Sequence, residues 1–385
     1  MATIDTQNLT KPVAQPKTGK PTLSGRESQF AMTWRRFKQH QLAHVSLWIV
    51  VAFYIVALLA EFFAPFDPGD YNPRYTYAPP QGIEFVFVEE DGSWTWGPYV
   101  NGYKTEIDPQ AMRRVFTIDE DVRHPLGLFV QSEPYMLFGV IPMAHKLFGT
   151  IEPRAPLYII GADRLGRDQL SRLIHGTRIS LSIGLVGVVL SLIFGVIIGG
   201  FSGYYGGWFD SAVQRTIEFI RSLPTIPLWL GLAAALPQDW SALQNYFAIT
   251  VILSLLGWTE LARVVRGRFL ALRTEDFVTA AQLDGASDYR VIVRHMVPSF
   301  MSHIIAATTL AIPGMILAET ALSFLGLGLQ APIVSWGTLL QEAQNIRTLA
   351  SAPWLLAPGV VVVVAILAMN FLGDGLRDAA DPYGK

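Results

Sequence analysis

The sequence predicts an all-α polytopic membrane protein with six transmembrane helices and a small β-containing insertion outside the bilayer. Three observations carry this. The 385 residues are 51% hydrophobic and only 16% charged, where a soluble globular chain carries about a quarter, and mean hydropathy is positive at +0.34. Six runs are long and apolar enough to cross a hydrocarbon core about 30 Å thick, which takes roughly 20 helical residues. Lysine and arginine fall unequally on the two sides that these runs define. The same composition excludes much else. Sparse charge argues against a disordered chain, and a net charge of −2 gives no footprint for nucleic acid. Without cysteine there is no disulfide scaffold, no cysteine-ligated zinc and no thiol nucleophile.

The elements follow in order. Residues 1–29, rich in Lys, Pro, Thr, Ser and Gln, read as a disordered tail. In 30–44 Phe30, Trp34 and Phe37 recur at helical spacing opposite a basic face, which fits an interfacial helix leading into the first span. That span, 45–64, is full length and lacks a small-x-small cleavage site behind it, so it reads as a retained signal anchor. The segment 65–178 is long enough to carry structure of its own. Ile83–Val88 and 94–99 flank Asp91-Gly92 as a β-hairpin, and 114–118 offers a further strand. The apolar stretch 135–149 is too short to span and is interrupted by Pro142, His145 and Lys146; it reads as a buried or interfacial loop segment. Residues 163–173 carry the i,i+4 pairs Asp163/Arg167 and Arg164/Asp168, with Leu165, Leu170, Leu173 and Ile174 as an apolar face. That predicts an amphipathic helix on the outer membrane surface.

The remaining spans are 179–200, 216–236, 246–262, 302–322 and 354–372. Pro224 and Pro227 in the third, and Pro313-Gly314 in the fifth, predict kinks tolerated inside a bundle. Seven Lys and Arg precede His44, and the later loops and ends on the same side bring that side to 17. The short loops opposite carry only Arg347, and eleven lie in the long 65–178 segment, which is largely exempt from the positive-inside rule. Both termini are therefore expected in the cytoplasm. Within the spans, Arg215, Glu218 and Arg221, and Glu260 with Arg263, sit at i,i+3 steps and read as local structural pairs. Glu319 stands alone near the outer end of span five, beyond Pro313. Glu319 and Pro313 are the candidates for lining a pathway or subunit contact, the alternative for Glu319 being an interhelical hydrogen bond.

The segment 263–300 is the longest cytoplasmic loop and reads as helix, tight turn, helix. Thr274 is the expected N-cap, followed by Glu275 and Asp276 in the first turn. Phe277, Ala280, Ala281 and Leu283 give a mostly small apolar surface. Asp284-Gly285-Ala286-Ser287 makes the turn, with Gly285 free to go left-handed. Ser287 or Asp288 caps the second helix and Pro298 stops it. The result is a thin knob that either docks to a cytoplasmic partner or is a loop of adequate helix propensity.

Thr279-Ala280-Ala281, then Gly285, then His295-Met296-Val297-Pro298 resembles the EAA signature of ABC-importer transmembrane subunits, with Thr279 where most members have Glu. Gly161-Ala162-Asp163-Arg164-Leu165-Gly166-Arg167-Asp168, Glu319 to Gly328 with Ser335-Trp336-Gly337, and Gly373-Asp374-Gly375-Leu376-Arg377-Asp378 are similar to the second, C-type subunit of the oligopeptide/dipeptide/nickel permease branch. The resemblance covers the first span and about 160–385. It implies the type I ABC-importer permease fold, with 179–373 as the core and 374–385 as a cytoplasmic end. It further implies a coupling helix at Thr279, Ala280, Ala281, Asp284, Gly285 and Ala286, seated in an ATPase subunit. The implied partners are a homologous permease subunit, two cytoplasmic ATPases, an extracytoplasmic solute-binding protein and membrane lipid, with no nucleic acid. The implied location is the bacterial inner membrane, and peptide is the commonest expected cargo beside nickel, sugars or opines.

No G-x-x-x-x-G-K-[ST] run exists in the chain, so ATP and Mg are expected on a separate subunit, and no H-E-x-x-H motif is present. The spans show no ionisable relay series, which weakens the alternative of an ion-gradient-driven secondary transporter. Seven scattered histidines give little support to an intramembrane enzyme.

Overall fold

The computed structural model describes residues 29–88, 94–109, 113–237 and 239–380. Residues 1–28 of the expected tail (1–29), the Asp91-Gly92 turn and the last five residues lie outside them, and Gln29, placed in that tail, instead opens the first helix. Helix α1 (Gln29–Gln39) leads into α2 (Gln41–Leu58), with His40 between them accepting from the Ala43 N–H at 3.2 Å. Phe37 is buried while Trp34 stays half exposed and stacks on it at 5.6 Å. After a break at Leu59 the single turn α3 (Ala60–Phe63) completes the first apolar run.

The insertion is an antiparallel meander of β1 (Ile83–Val88), β2 (Trp94–Asp108), β3 (Arg113–Leu137) and β4 (Ile141–Thr150). The two hairpin strands and the third strand are as expected. The stretch 135–149 is not an irregular loop segment: it is the end of β3 and nearly all of β4, paired from Leu126↔Thr150 to Leu137↔Ile141. Backbone pairing satisfies the polar groups that an irregular apolar stretch would strand. The first half of β3 pairs with β2 and the second half with β4.

Helix α4 (Gln169–Tyr205) carries the second span. The expected surface helix over 163–173 does not form before Gln169. Asp163–Asp168 is a loop, and within it Gly166 takes positive φ, +73°, at a place where a Cβ would lie 1.9 Å from the Asn72 carbonyl oxygen. Asp168 then caps α4, accepting from the Leu170 and Ser171 N–H groups.

Next come α5 (Gly207–Ser222) and α6 (Thr225–Ala234), so the third expected span is two shorter helices rather than one kinked one. Pro224 cannot donate a helical bond and forces Leu223 to extended backbone, ψ 138°. Helix α7 (Ala242–Leu272) opens on a Ser241 capping box with Gln244. It is followed by α8 (Asp276–Leu283), α9 (Asp288–Arg290), a π-helical turn Val291–Met296 and α10 (Val297–Ser299). Helix α11 (Met301–Phe324) runs unbroken through Pro313. Then come α12 (Trp336–Gln341), α13 (Ile346–Ser351) and α14 (Ala357–Ala380); α14 continues through 374, where a separate end was expected. Among the described residues five helices are long and apolar enough to cross a membrane.

Small residues bring α4 and α7 close together. Gly195, Gly199 and Gly203 recur every fourth residue on α4 and lie on α7. A Cβ at Gly199 would sit 2.4 Å from the Ala262 carbonyl oxygen, and one at Gly203 2.7 Å from that of Arg266. Within lipid, where apolar burial gives little drive, such close approach is what holds helices together.

Candidate functional site

The turn between α7 and α11 is assembled on a buried platform. Val278 and Ala281 of α8 are buried against Val265 and Phe269 of α7 and against Val291 and Met296 of the π-helical turn. The outward face carries Thr279, Ala280, Leu283 and Asp284, all exposed, with Leu283 at 83%. The six residues singled out in sequence therefore divide: Thr279, Ala280, Asp284 and Gly285 face away from the bundle, whereas Ala281 and, in part, Ala286 face into it. Grouping Ala281 with Ala280 on one surface is corrected by the 100° step of the helix.

Helix α8 ends in a Schellman motif. The Ala286 N–H donates to the Ala281 carbonyl at 3.0 Å and the Gly285 N–H to that of Gln282 at 3.0 Å, with Gly285 at φ +75°. A Cβ at Gly285 would meet nothing within 4 Å. The expected N-cap is displaced. Arg273 still has helical backbone, so Thr274 finishes α7, its hydroxyl donating back to the Ala271 carbonyl at 3.4 Å; α8 begins after Glu275. Ser287 precedes α9 without a side-chain cap bond.

Polar bonds tie this platform to the Tyr205 end of α4, the inner end in the expected topology. The Gln282 amide donates to the Tyr204 oxygen at 3.0 Å, and the Tyr204 and Tyr205 hydroxyls donate to the two oxygens of Asp288 at 2.8 and 3.0 Å. Nearby, the Arg266 guanidinium of α7 grips both oxygens of Asp210 on α5, and Ser202 of α4 donates to the same carboxylate. The guanidinium holds the Asp210 carboxyl below the usual range. A groove of about 600 Å³, lined by Ser287, Tyr289, Arg290, Val293, Arg294 and Pro298, runs beside the turn. Sequence reasoning missed Tyr204, Tyr205 and the role of Asp288. They lie more than 80 residues apart, and no local pattern pairs them.

Glu319 sits elsewhere, fully buried where α4, α11 and the start of α12 meet. Ser180 and Ser323 donate to its oxygens at 3.2 and 2.8 Å, and Ser180 in turn accepts from the Trp336 N–H at 3.1 Å. Of its two readings, the geometry supplies the interhelical hydrogen bond, from Ser180 of α4, while Ser323 lies one turn along α11 itself. Pro313 is buried too, while its neighbour Gly314 lines a cleft of about 390 Å³ shared with Arg221, Thr225, Trp229 and Glu260. Glu260 pairs with Arg221 across that cleft, not with Arg263 as its spacing suggested; Arg215 and Glu218 do pair locally, at 3.0 Å.

A second cluster of charge lies at the Gln169 end of α4, the outer end in the expected topology. Asp163 accepts from Arg167 at 2.6 Å and from the buried Arg172, and Glu342 stands 3.5 to 3.8 Å from Arg164, Arg167 and Arg172. Trp354 packs on Gly161 and donates to the Ala162 carbonyl at 2.9 Å. Among the described residues no group of three or more His, Asp or Glu side chains is arranged to hold a metal ion.

The chain is similar to known proteins over most of its length. A family model described as binding-protein-dependent transport system inner membrane component matches residues 192–383. Another, the N-terminal TM domain of oligopeptide transport permease C, matches 28–80. The dipeptide transport system permease protein DppC of Lactococcus lactis is 32% identical over 372 residues, 95% of this chain and 93% of its own. The oligopeptide transport system permease protein OppC of Bacillus subtilis is 36% identical over 238 residues, 62% of this chain and 75% of its own. A solved methionine ABC transporter in inward-facing conformations aligns at a TM-score of 0.44 and 18% identity, over 55% of this chain and 97% of its own. The alternative of an ion-gradient-driven carrier gives way to these matches. Family members are membrane-embedded translocation components that work with an ATPase and a binding protein. The chain belongs to this family, as a C-type transmembrane subunit of the oligopeptide/dipeptide/nickel permease branch in an ATP-driven, binding-protein-dependent importer.

Proposed function

We propose that this subunit pairs with a homologous permease subunit as a heterodimer around a shared path for a peptide or similar small solute. Two ATPase subunits, holding ATP and Mg, dock on its cytoplasmic face, and an extracytoplasmic binding protein delivers the cargo past the 65–178 lid. The names of the DppC and OppC relatives support the peptide reading. The lysine and arginine distribution supports cytoplasmic termini in a bacterial inner membrane.

One observation carries the coupling role. The α8 turn is thin and open on its outward side and locked on its inward side, so a push on Ala280, Asp284 and Gly285 reaches α7 through Val278 and Ala281. The same push reaches α4 through Gln282, Asp288 and the two tyrosines. Thr279 replaces the usual acid and bonds only back to the Glu275 carbonyl, at 3.4 Å, which leaves its outward side uncharged.

The test compares Gly285→Ala with Gly285→Trp in the importer reconstituted with its ATPases. Both carry the left-handed strain, about 1–2 kcal/mol, but only tryptophan fills the open space. The alanine variant is expected to keep ATP-dependent uptake and the tryptophan variant to lose it, with membrane insertion equal in both. Normal uptake by the tryptophan variant would remove α8 as the coupling element. The cargo is read from the ligand retained by the cognate binding protein; a metal or sugar there overturns the peptide assignment.

A further inference from the structure

The hairpin of β3 and β4 closes on an apolar end that no described part of the chain covers. Between Glu133 and His145 the only titratable side chain is Tyr135. Met136, Phe138, Val140 and Ile141 are 50%, 42%, 71% and 48% exposed, and of this turn only Leu137 is buried. Phe138 and Gly139 both take positive φ, +56° and +73°. Turn chemistry favours glycine, asparagine or aspartate at such sites, so the backbone gives no reason for a phenylalanine ring there. Four exposed apolar side chains together at a turn mark a contact surface.

The root of the hairpin fixes where that surface lies. The Phe129 and Phe62 rings meet at 6.2 Å, Lys146 donates to the Ala64 carbonyl at 2.8 Å, and Tyr135 lies within the field of Glu61. Glu61 is itself paired with Arg178 of α4. All these anchor points fall within 61–64, the outermost turn of the first span, where the chain leaves the hydrocarbon. The hairpin is thus rooted on the outermost turn of that span, and its apolar end is flanked by Tyr135, His145 and Lys146, side chains suited to the headgroup layer.

We propose that the hairpin end, residues 136–142, inserts into the outer leaflet of the bilayer and anchors the sheet to the membrane surface. Phospholipid is the occupant because the hairpin is rooted on the outermost turn of the first span and the end offers no charge for a polar partner. Interfacial binding of this kind scales with the apolar area buried.

The chain has no cysteine, so Val140→Cys introduces a single thiol into the full-length protein. Labelled with an environment-sensitive fluorophore and reconstituted in phosphatidylcholine/phosphatidylglycerol vesicles, it is expected to be quenched several-fold more by shallow nitroxide lipids than by aqueous iodide. Glu120→Cys, on the exposed first half of β3, should show the reverse. Ile141→Cys repeats the measurement one residue along, so disturbance by one label does not decide the outcome. Iodide quenching without lipid quenching at both sites overturns the proposal. So does shielding from both quenchers that appears only when the partner subunit or binding protein is added, which assigns the surface to protein.

Discussion

The two ends of α4 are held by different chemistry. At the outer end Asp163 is fully buried, and its partner Arg172 is 8% exposed with Glu342 beside it at 14%. At the inner end the Arg266–Asp210 clamp is 29% and 13% exposed, and the tyrosine bonds to Asp288 lie in the open. Breaking a buried pair leaves an uncompensated charge and costs about 3–5 kcal/mol; exposed pairs contribute about 0–1 kcal/mol. The outer fastening is therefore the more deeply buried; beside the α8 turn the Arg266–Asp210 clamp is part-buried and the tyrosine bonds to Asp288 are open to water. Burial also pushes the Glu342 carboxyl up, with Asp163 adding to the effect, so the outer cluster persists because its arginines offset that penalty.

The contrast can be broken most sharply at Asp163. Asp163→Ala strips Arg167 and Arg172 of their acceptor and should cost about 3–5 kcal/mol, read as a large fall in the thermal midpoint in detergent. A midpoint close to wild type would mean that the outer fastening is no stronger than the inner. Next comes the seam between the ends. Gly199→Leu forces a side chain against the Ala262 backbone and should cost about 1–3 kcal/mol of overpacking, seen as reduced yield of folded protein; ordinary yield would show that α4 and α7 can part.

A smaller effect is expected at the inner end. Asp288→Ala removes the acceptor of both tyrosines and should leave the thermal midpoint nearly unchanged while lowering uptake per ATP hydrolysed. A parallel loss of folding stability would make Asp288 another rigid fastening and erase the difference between the ends. The smallest effect concerns pH. Burial pushes the Asp168 carboxyl up to about 6, against bonds from Ser171 and Leu170 that pull it down. Its unfolded value is about 3.9, so between about pH 4 and 6 the native state holds the extra proton and this group's contribution to stability falls as pH rises, the penalty being complete above about pH 6. Asp168→Asn, an equally good N-cap, abolishes that slope. The stability difference between wild type and variant should change over that window and stay level above it; a difference constant across the window contradicts the raised value.

How much of this was legible depended on the range of the interactions. Twenty apolar residues in a row announce a span whatever surrounds them, and Gly285 after Leu283 announces a helix end, because each is decided locally. The 163–173 segment misled because i,i+4 charges satisfy a helix template equally well as a loop: Asp163 bonds the Leu165 and Arg167 backbone N–H groups as well as the Arg167 side chain. Asp168 just ahead of Gln169 was the overlooked cap signal. The 135–149 hairpin was hidden because its apolar run lacks a period of two, its side chains meeting protein on one side and nothing in the chain on the other. Gly195, Gly199 and Gly203 show their spacing openly, yet the helix they face is set only in three dimensions. So too is the division of Ala280 from Ala281, since an eight-residue helix shows a face only once the platform beneath it is known.

At about 1.5 Å per residue the 37 residues of α4 make a rod about 55 Å long, nearly twice the thickness of the hydrocarbon it crosses. Pivoted near one tip, such a rod turns about 5° of tilt into about 5 Å of travel at the other, roughly the width of a peptide backbone. Leverage of that order turns a small tilt at one end of the helix into a displacement of side-chain size at the other.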